Sequence, residues 1–419
     1  MAVTHRTATP GPSASGPVVL VVALPDSIHT ARWLNMARGR GIRFVLLPTY
    51  AGPVCAELRD TRPVRERSDL DGLTDREVGV FDVASVDPDQ VAALDRQLGY
   101  EPWFPAWMTT PLTRPAHVAA AVERLSPALV HSMEVQFAGY LCLAAKLHLD
   151  RRFPPWLLSN WGSDIYLYRK LEEHLPRLKR IATLADAYTA ECGRDIGLIR
   201  QLGFRGMVLP TLPASGGMDF DGFPPLSDLP PPSRRREILV KGYHGWSGRA
   251  LHILGAIHLA APALRNFTIR VILAGPEVRA MATTVAQWDE LTVTFDAYRP
   301  DMTHHELLMR LGQARMVIGL GISDGISTTL LEAMAVGTYP IQGTGSCGCE
   351  WIDPGRTGSL VSPHDTAALA AEIERAARDD VLVDAAAPVN RRVVERRWNA
   401  AVNGRIAVEG YRAILGGAR

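Results

Sequence analysis

Short apolar runs followed by helical patterns recur in two series along this chain, and one Pro-dense stretch separates them. Residues 18–24, 43–47, 129–132 and 156–160 read as strands in the first series, with helical patterns over 31–39, 137–147 and 193–202. The second series begins at 237–240 and continues with a helix over 250–260, strands at 268–274 and 291–295, a helix over 304–311, and strands at 316–320 and 339–342. Apolar runs without polar alternation are strands buried on both faces, which is the condition of a parallel sheet covered by helices on each side. Between the series, Phe223-Pro224-Pro225 through Leu229-Pro230-Pro231-Pro232-Ser233 can form neither helix nor central strand. The expectation is two doubly wound α/β domains, over 17–223 and 237–395, joined by a stiff linker at 224–236. A chain of 419 residues is long enough for both. Residues 1–16, rich in Thr, Ser, Ala, Pro and Gly, read as a disordered tail. A signal peptide over 18–24 is disfavoured because the run is short and Pro25-Asp26 follows it without a small-residue cleavage site.

Composition narrows the partners. A formal net charge of +1 favours neither nucleic acid nor an anionic membrane, and no apolar run approaches the length of a membrane span. Five Cys without regular spacing point to a reducing, cytoplasmic setting rather than a disulfide framework. No Gly-x-Gly-x-x-Gly follows the first strand, which counts against a dinucleotide cofactor there.

The segment richest in chemistry is Ser323-Asp324-Gly325-Ile326-Ser327-Thr328-Thr329-Leu330-Leu331-Glu332-Ala333-Met334-Ala335-Val336-Gly337. Ser327 or Thr328 suits an N-cap, Leu330, Leu331 and Met334 give an inward face, and Gly337 suits a left-handed C′ position. A helix starting there aims free N–H groups and the positive end of its dipole at the preceding loop, which makes an anion site. Asp324 and Glu332 frame that site. Carboxylates repel phosphates, so they read as acceptors for neutral hydroxyls on either side of a phosphate group. An ordinary αβ unit with a solvated Asp and a helix-face Glu is the alternative from this segment alone.

The segment resembles the acid-x7-acid signature of retaining glycosyltransferases of the GT-B fold, the "group 1" or GT4 family. Asp324 stands where that family usually has Glu, and Ile326-Ser327 stand where it often has Phe-Gly. Further likenesses are Ser27-Ile28-His29-Thr30-Ala31-Arg32-Trp33, Trp161-Gly162-Ser163-Asp164-Ile165 with Trp161 in a position usually held by His, and Gly217-Met218-Asp219. The resemblance implies two Rossmann-like domains facing across a cleft, with a final helix, 396–419, returning to the first domain. It also implies a retaining hexosyltransferase whose co-substrate is a nucleotide diphosphate sugar, with no obligatory metal. By that likeness Asp324 and Trp161 hold the donor sugar, Glu332 the ribose, and Arg249, Lys241, Ser327, Thr328 and Thr329 the diphosphate. Gly275 and Tyr298 border the nucleoside, while His29, Asp164 and Glu134 lie on the acceptor side. Asp324, Glu332, Arg249 and His29 are the candidate catalytic set. A small soluble acceptor, such as a natural-product core, fits better than a lipid. A nucleotide-sugar epimerase of the same fold, or a non-catalytic partner subunit, would share these features.

Other segments carry less. Asp87-Pro88-Asp89 reads as a helix cap rather than a metal-binding Asp-x-Asp, and Cys347-x-Cys349 lacks a second pair at zinc spacing. Tyr100, Trp103, Phe104 and Trp107 could line a sugar site or pack under a loop. Residues 50–73 show no usable periodicity and read as an irregular excursion.

Overall fold

The computed structural model describes residues 15–102, 110–296 and 304–417. Two parallel sheets carry the chain. In the first, β1 (Val18–Ala23), β2 (Arg43–Pro48), β3 (Thr61–Val64), β4 (Val78–Phe81), β5 (Leu129–Met133), β6 (Trp156–Ser159), β7 (Ala187–Thr189) and β8 (Met207–Val208) lie in the order β3-β4-β2-β1-β5-β6-β7-β8. In the second, β9 (Glu237–Lys241), β10 (Thr268–Ile272), β11 (Thr292–Asp296), β12 (Ala314–Gly319), β13 (Tyr339–Gly343) and β14 (Ser359–Val361) lie in the order β11-β10-β9-β12-β13-β14. Every residue of β1 and of β12 is buried, Arg315 of β12 included, as central strands covered on both faces require.

Strand order reverses at β1, which pairs with β2 on one side and β5 on the other, and at β9, which pairs with β10 and β12. Such reversals open a crevice at the carboxyl ends of the strands, where consecutive loops part in opposite directions. The loops after β1, β5 and β6 and those after β9 and β12 therefore supply the candidate site.

The stretch 50–73 is more ordered than its sequence suggests. It holds β3 and a short 3-10 turn, Arg67–Leu70, and leads to β4. β3 is an edge strand of four residues in which only Val64 is buried, and Pro63 is tolerated there because an edge needs no second ladder bond. Too few residues alternate to leave a period. Asp87 caps the helix Pro88–Leu98 by accepting from the Asp89 N–H at 3.0 Å. Of the aromatic cluster, Trp103, Phe104 and Trp107 lie outside the described residues, as does nearly all of the expected tail.

The expected boundary at 395/396 falls inside the helix Asp380–Arg397, and the returning helix is Ala400–Gly417. Between them Trp398 is buried, its carbonyl accepts from Met218 N–H at 2.7 Å, and Ala400 N–H donates to Met218 O at 2.9 Å. The returning helix packs on Ile28–Ala37 of the first domain. A buried relay fixes it there. Trp33 Nε1–H donates to Tyr411 Oη at 2.9 Å, Tyr411 meets His131 Nδ1 at 2.8 Å, and His131 Nε2 meets Ser159 Oγ at 2.6 Å. Burial lowers the His131 pKa to about 3, so the ring is neutral. Because indole only donates, Tyr411 donates to Nδ1 and Nε2–H donates to Ser159.

Tyr411→Phe removes the middle of this relay and leaves a buried indole N–H and imidazole nitrogen without partners. We expect a loss of about 1–3 kcal/mol in unfolding free energy, read by denaturant titration. An unchanged midpoint would mean that the relay does not help to hold the returning helix.

Candidate active site

The carboxyl edges of the two sheets face each other across a cleft with two adjoining chambers, of about 700 Å³ and about 410 Å³. Ser163, Lys241, Tyr243, Trp246, Asp324 and Ser327 line both and form the wall between them. β12 delivers the loop carrying Asp324, and the helix Thr328–Ala335 follows with Ser327 as its N-cap. The Ser327 side chain makes no capping bond to that helix; its Oγ faces Lys241 Nζ at 3.4 Å. Thr328 and Thr329, whose N–H groups belong to the unpaired first turn, line the larger chamber. Gly337 ends the segment at φ +73°, the left-handed value that a side chain would strain. Lys241, the Ser327 hydroxyl and a helix N-terminus thus meet at the wall between the chambers.

The far end of the larger chamber is bordered by Ile272, Leu273, Leu307, His304, Asp296 and Glu332. The Glu332 carboxylate is buried and its Oε1 lies 2.8 Å from His304 Nε2. Asp296 is held by Arg270 and Arg310, each at 2.7 Å. Leu273 sits at φ +57°, an uncommon conformation for a bulky residue that turns the chain after β10 toward the chamber. Gly275, one turn further on, caps the helix Pro276–Asp289 and lines neither chamber, so Leu273 takes the bordering position expected of it. Tyr298 lies outside the described residues.

Acids gather where the domains meet. Glu191 Oε2 accepts from Gly162 N–H at 2.9 Å and Oε1 from Ala214 N–H at 2.8 Å. Its carboxylate abuts Gly325, where an added Cβ would lie 2.1 Å from Oε2, so the close approach requires glycine. Burial, and then the Asp324 charge, push the Glu191 pKa up to about 8. Burial also raises Asp324, with Lys241 pulling the other way. Asp164 Oδ2 accepts from Trp161 N–H at 2.7 Å and Val135 N–H at 3.0 Å, and burial beside Glu134 raises it well above its ordinary value. Glu134, at φ +75°, accepts from Phe137 N–H at 2.9 Å and from Ala138 N–H. Burial raises it to about 7. Glu134 lines neither chamber and stands behind Asp164, so of the two acids expected on the acceptor side only Asp164 reaches the cleft.

His29 and Trp161 do meet, edge to face at 5.3 Å, on the first-domain wall of the larger chamber. Burial and Arg32 lower the His29 pKa to about 4, and its Nδ1 has no hydrogen-bond partner among the described residues. The imidazole is therefore neutral and one ring nitrogen is open. Arg249 departs from its expected place. Its guanidinium turns onto its own loop, donating to Gly248 O at 3.0 Å and to Gly245 O, and it lines neither chamber. Lys241 is left as the cation beside the helix.

Three residues at the cleft carried little sequence signal. Glu191 stands two residues past β7, and that position at a carboxyl edge was its single clue. His304 is 28 positions from Glu332, and nothing local joins them. Arg194 crosses the cleft to donate to Asp324 O at 2.9 Å and Gly345 O at 3.3 Å. Ser163 adds a second crossing, donating to Ser323 O at 3.0 Å. The Cys347-x-Cys349 thiols diverge, with Cys349 exposed and Cys347 facing Cys192 of the first domain, Sγ to Sγ 2.7 Å. Glu350 completes the group, with ligand atoms of Cys192, Cys347 and Glu350 within 4.8 Å of one another, outside both chambers.

Comparison with known proteins agrees with this fold. Residues 248–379 match the family described as glycosyl transferases group 1. A stretch of 139 residues is 30% identical to WcaL of Salmonella typhimurium, named as a colanic acid biosynthesis glycosyltransferase; the match covers 30% of this chain and 33% of that protein. Among solved structures, sucrose-phosphate synthase from Thermosynechococcus elongatus superimposes with a TM-score of 0.65 at 17% identity, covering 96% of this chain and 100% of that one. Anabaena HepE, solved with UDP and glucose, gives 0.66 at 14% identity over 95% of this chain and 100% of its own. The pneumococcal O-GlcNAc transferase GtfA gives 0.61 at 11% identity over 96% and 99%. No helix among the described residues is long and apolar enough to cross a membrane. Two Rossmann-like domains meeting at these edges are the GT-B fold, and within it residues 248–379 are similar to the group 1 glycosyltransferases.

Proposed function

We propose that this protein transfers a hexose from a nucleoside diphosphate sugar to an acceptor hydroxyl, with retention at the anomeric carbon. The observation that carries the reading is the single point where Lys241, the Ser327 hydroxyl and the first turn of Thr328–Ala335 converge, with Asp324 on one side and Glu332 on the other. A diphosphate there meets N–H donors and one ammonium, its ribose lies toward Glu332, and its sugar lies toward Asp324. HepE was solved with UDP and with UDP-glucose, which makes UDP-glucose the first donor to try.

In the reaction the acceptor oxygen bonds to the anomeric carbon as the bond from that carbon to the phosphate oxygen breaks. The acceptor proton passes to the departing phosphate oxygen on the same face. Protein groups then act by stabilising charge on the leaving group, which falls to Lys241 and the helix N-terminus. Neutral His29 and the Trp161 indole form the wall past which a small acceptor would enter. Incubation of the purified protein with UDP-glucose and a panel of soluble hydroxylated acceptors, followed by mass spectrometry and NMR of the anomeric centre, tests the reading. Failure to transfer or hydrolyse any nucleotide sugar would favour a non-catalytic partner subunit.

Glu332→Ala should weaken nucleoside diphosphate and donor alike, because the ribose is common to both. Asp324→Asn should weaken the donor, losing charge-assisted bonds of about 1.5–3 kcal/mol, while bare nucleoside diphosphate binds as before. Titration calorimetry with both ligands separates the two, and equal losses in both variants would overturn the assignment of ends.

On this reading Lys241 and the helix N–H groups meet the charge on the diphosphate and no divalent ion is obligatory, so activity should persist in excess chelator. Complete loss, restored by magnesium or manganese, would count against this account.

Proton occupancy at the junction gives a further test. Glu191 holds its proton to about pH 8 in the folded chain, whereas the unfolded carboxyl releases it near 4.5. Between those values the folded state binds the extra proton, so this stabilisation is full at acid pH and is lost as pH rises toward 8. The stability difference between the natural protein and Glu191→Gln should therefore shrink from pH 5 to pH 8, by at most about 1.4 kcal/mol per unit. A difference that is flat or grows across that range, in denaturant unfolding, would show that Glu191 is ionised in the folded chain.

A further inference from the structure

We infer that His304 is a positioning residue that orients the Glu332 carboxylate and so makes the nucleotide site selective for ribose over 2′-deoxyribose. The inference rests on the reading of Glu332 as the ribose acceptor. Glu332 stands on the second turn of Thr328–Ala335, with a flexible side chain whose carboxylate could rotate freely. It is buried, and a carboxylate only accepts hydrogen bonds, so His304 Nε2–H is the donor in the 2.8 Å contact with Oε1. The imidazole is itself fixed. It lies at the start of the neighbouring helix His304–Leu311, and its ring meets Phe223 edge-on at 5.9 Å. Phe223 in turn stacks on Phe220 at 4.8 Å and abuts buried Trp398.

An ionised carboxylate has about four acceptor sites. One site on Oε1 is occupied by His304, which leaves the second on Oε1 and both on Oε2. The two vicinal hydroxyls of a ribose need adjacent acceptors presented along one edge, and fixing the plane of the carboxylate supplies that edge. No other carboxylate at this end is free to do so among the described residues. Asp296 is held between Arg270 and Arg310, and Asp324 lies at the opposite end beside Lys241. A 2′-deoxyribose leaves one of the prepared acceptors without a donor, and a site built to bond a hydroxyl discriminates strongly against its absence.

The test uses the full chain and two probes, UDP and 2′-deoxy-UDP, with affinities from titration calorimetry and folding followed by melting temperature. The natural protein should prefer UDP by about tenfold or more, the scale of one lost bond to a charged group. His304→Ala should weaken UDP by a similar factor, leave 2′-deoxy-UDP nearly unchanged, and so collapse the preference. In turnover the donor KM should rise with little change in kcat. His304→Gln, which keeps an N–H donor, should recover most of the preference. A residue that merely supported the helix would weaken both probes together and leave their ratio intact, which would overturn the inference. Glu332→Ala identifies the source of a failure. If Glu332→Ala abolishes the preference while His304→Ala retains it, the positioning role is wrong. If Glu332→Ala retains it, the ribose reading of Glu332 fails and His304 falls with it.

Discussion

Three buried carboxylates clamped by backbone N–H groups hold the working face of the first domain. Glu134 binds the start of the helical turn after β5, Asp164 ties that turn to the loop after β6, and Glu191 ties the β6 loop to Ala214 beyond β8. A carboxyl group that accepts main-chain donors from separate segments, as Asp164 and Glu191 do, fixes those segments to one another. Without these clamps the loops after β5, β6 and β7 would have no fixed relation to one another. Ser163 and Arg194, which cross to the second domain, stand on those same loops.

Burial sets a cost against this arrangement. Glu134, Asp164 and Glu191 all hold their protons well above the usual carboxylate range, and Glu191 faces Asp324 across the junction. The crossing is kept neutral by aiming cations at carbonyls rather than at acids. Arg194 reaches Asp324 O and Gly345 O, while its Nε pairs with Asp195 of its own domain at 2.8 Å. An interdomain contact made of a few polar bonds, with one protonated acid beside one raised acid, is weak enough to open and specific enough to close in one register. The proposed transfer would need both, since donor and acceptor must enter and water must then be kept from the anomeric carbon.

Much of the fold was legible because it rests on burial. Apolar runs named β1 and β2, shorter apolar stretches named β5, β6, β9, β10 and β12, and the Pro-dense stretch marked the join. β3 escaped because a four-residue edge strand with one buried position has no period to read. At the site, Asp324, Ser327 and Thr328 directly follow β12, Glu332 lies on the second turn of the helix that starts there, and Lys241 ends β9, so position at the carboxyl ends of central strands pointed to them. Arg249 was misplaced for a local reason. The loop after β9 closes on itself, with Arg249 N–H on Leu320 O and its guanidinium on the loop's own carbonyls, and sequence position does not encode that turn. The His304–Glu332 and Glu191–Asp324 pairings are tertiary, formed only when separate units are packed together.

The direction of Arg249 also bears on how the donor's charge is met. A nucleoside diphosphate brings more negative charge than one ammonium neutralises, and among the described residues Lys241 is the cation that faces the Ser327 hydroxyl at the helix start. The remainder falls on first-turn N–H groups and on Ser327, Thr328 and Thr329, which solvate a phosphate without carrying charge themselves. Arg249 is bound only to neutral carbonyls, and a guanidinium bonds a phosphate oxygen about twice as strongly as a neutral acceptor. The loop that carries it also presents Trp246, 66% exposed, and Tyr243, with Lys241 over the Tyr243 ring at 4.7 Å. Turning that loop would bring a second cation toward the proposed diphosphate position.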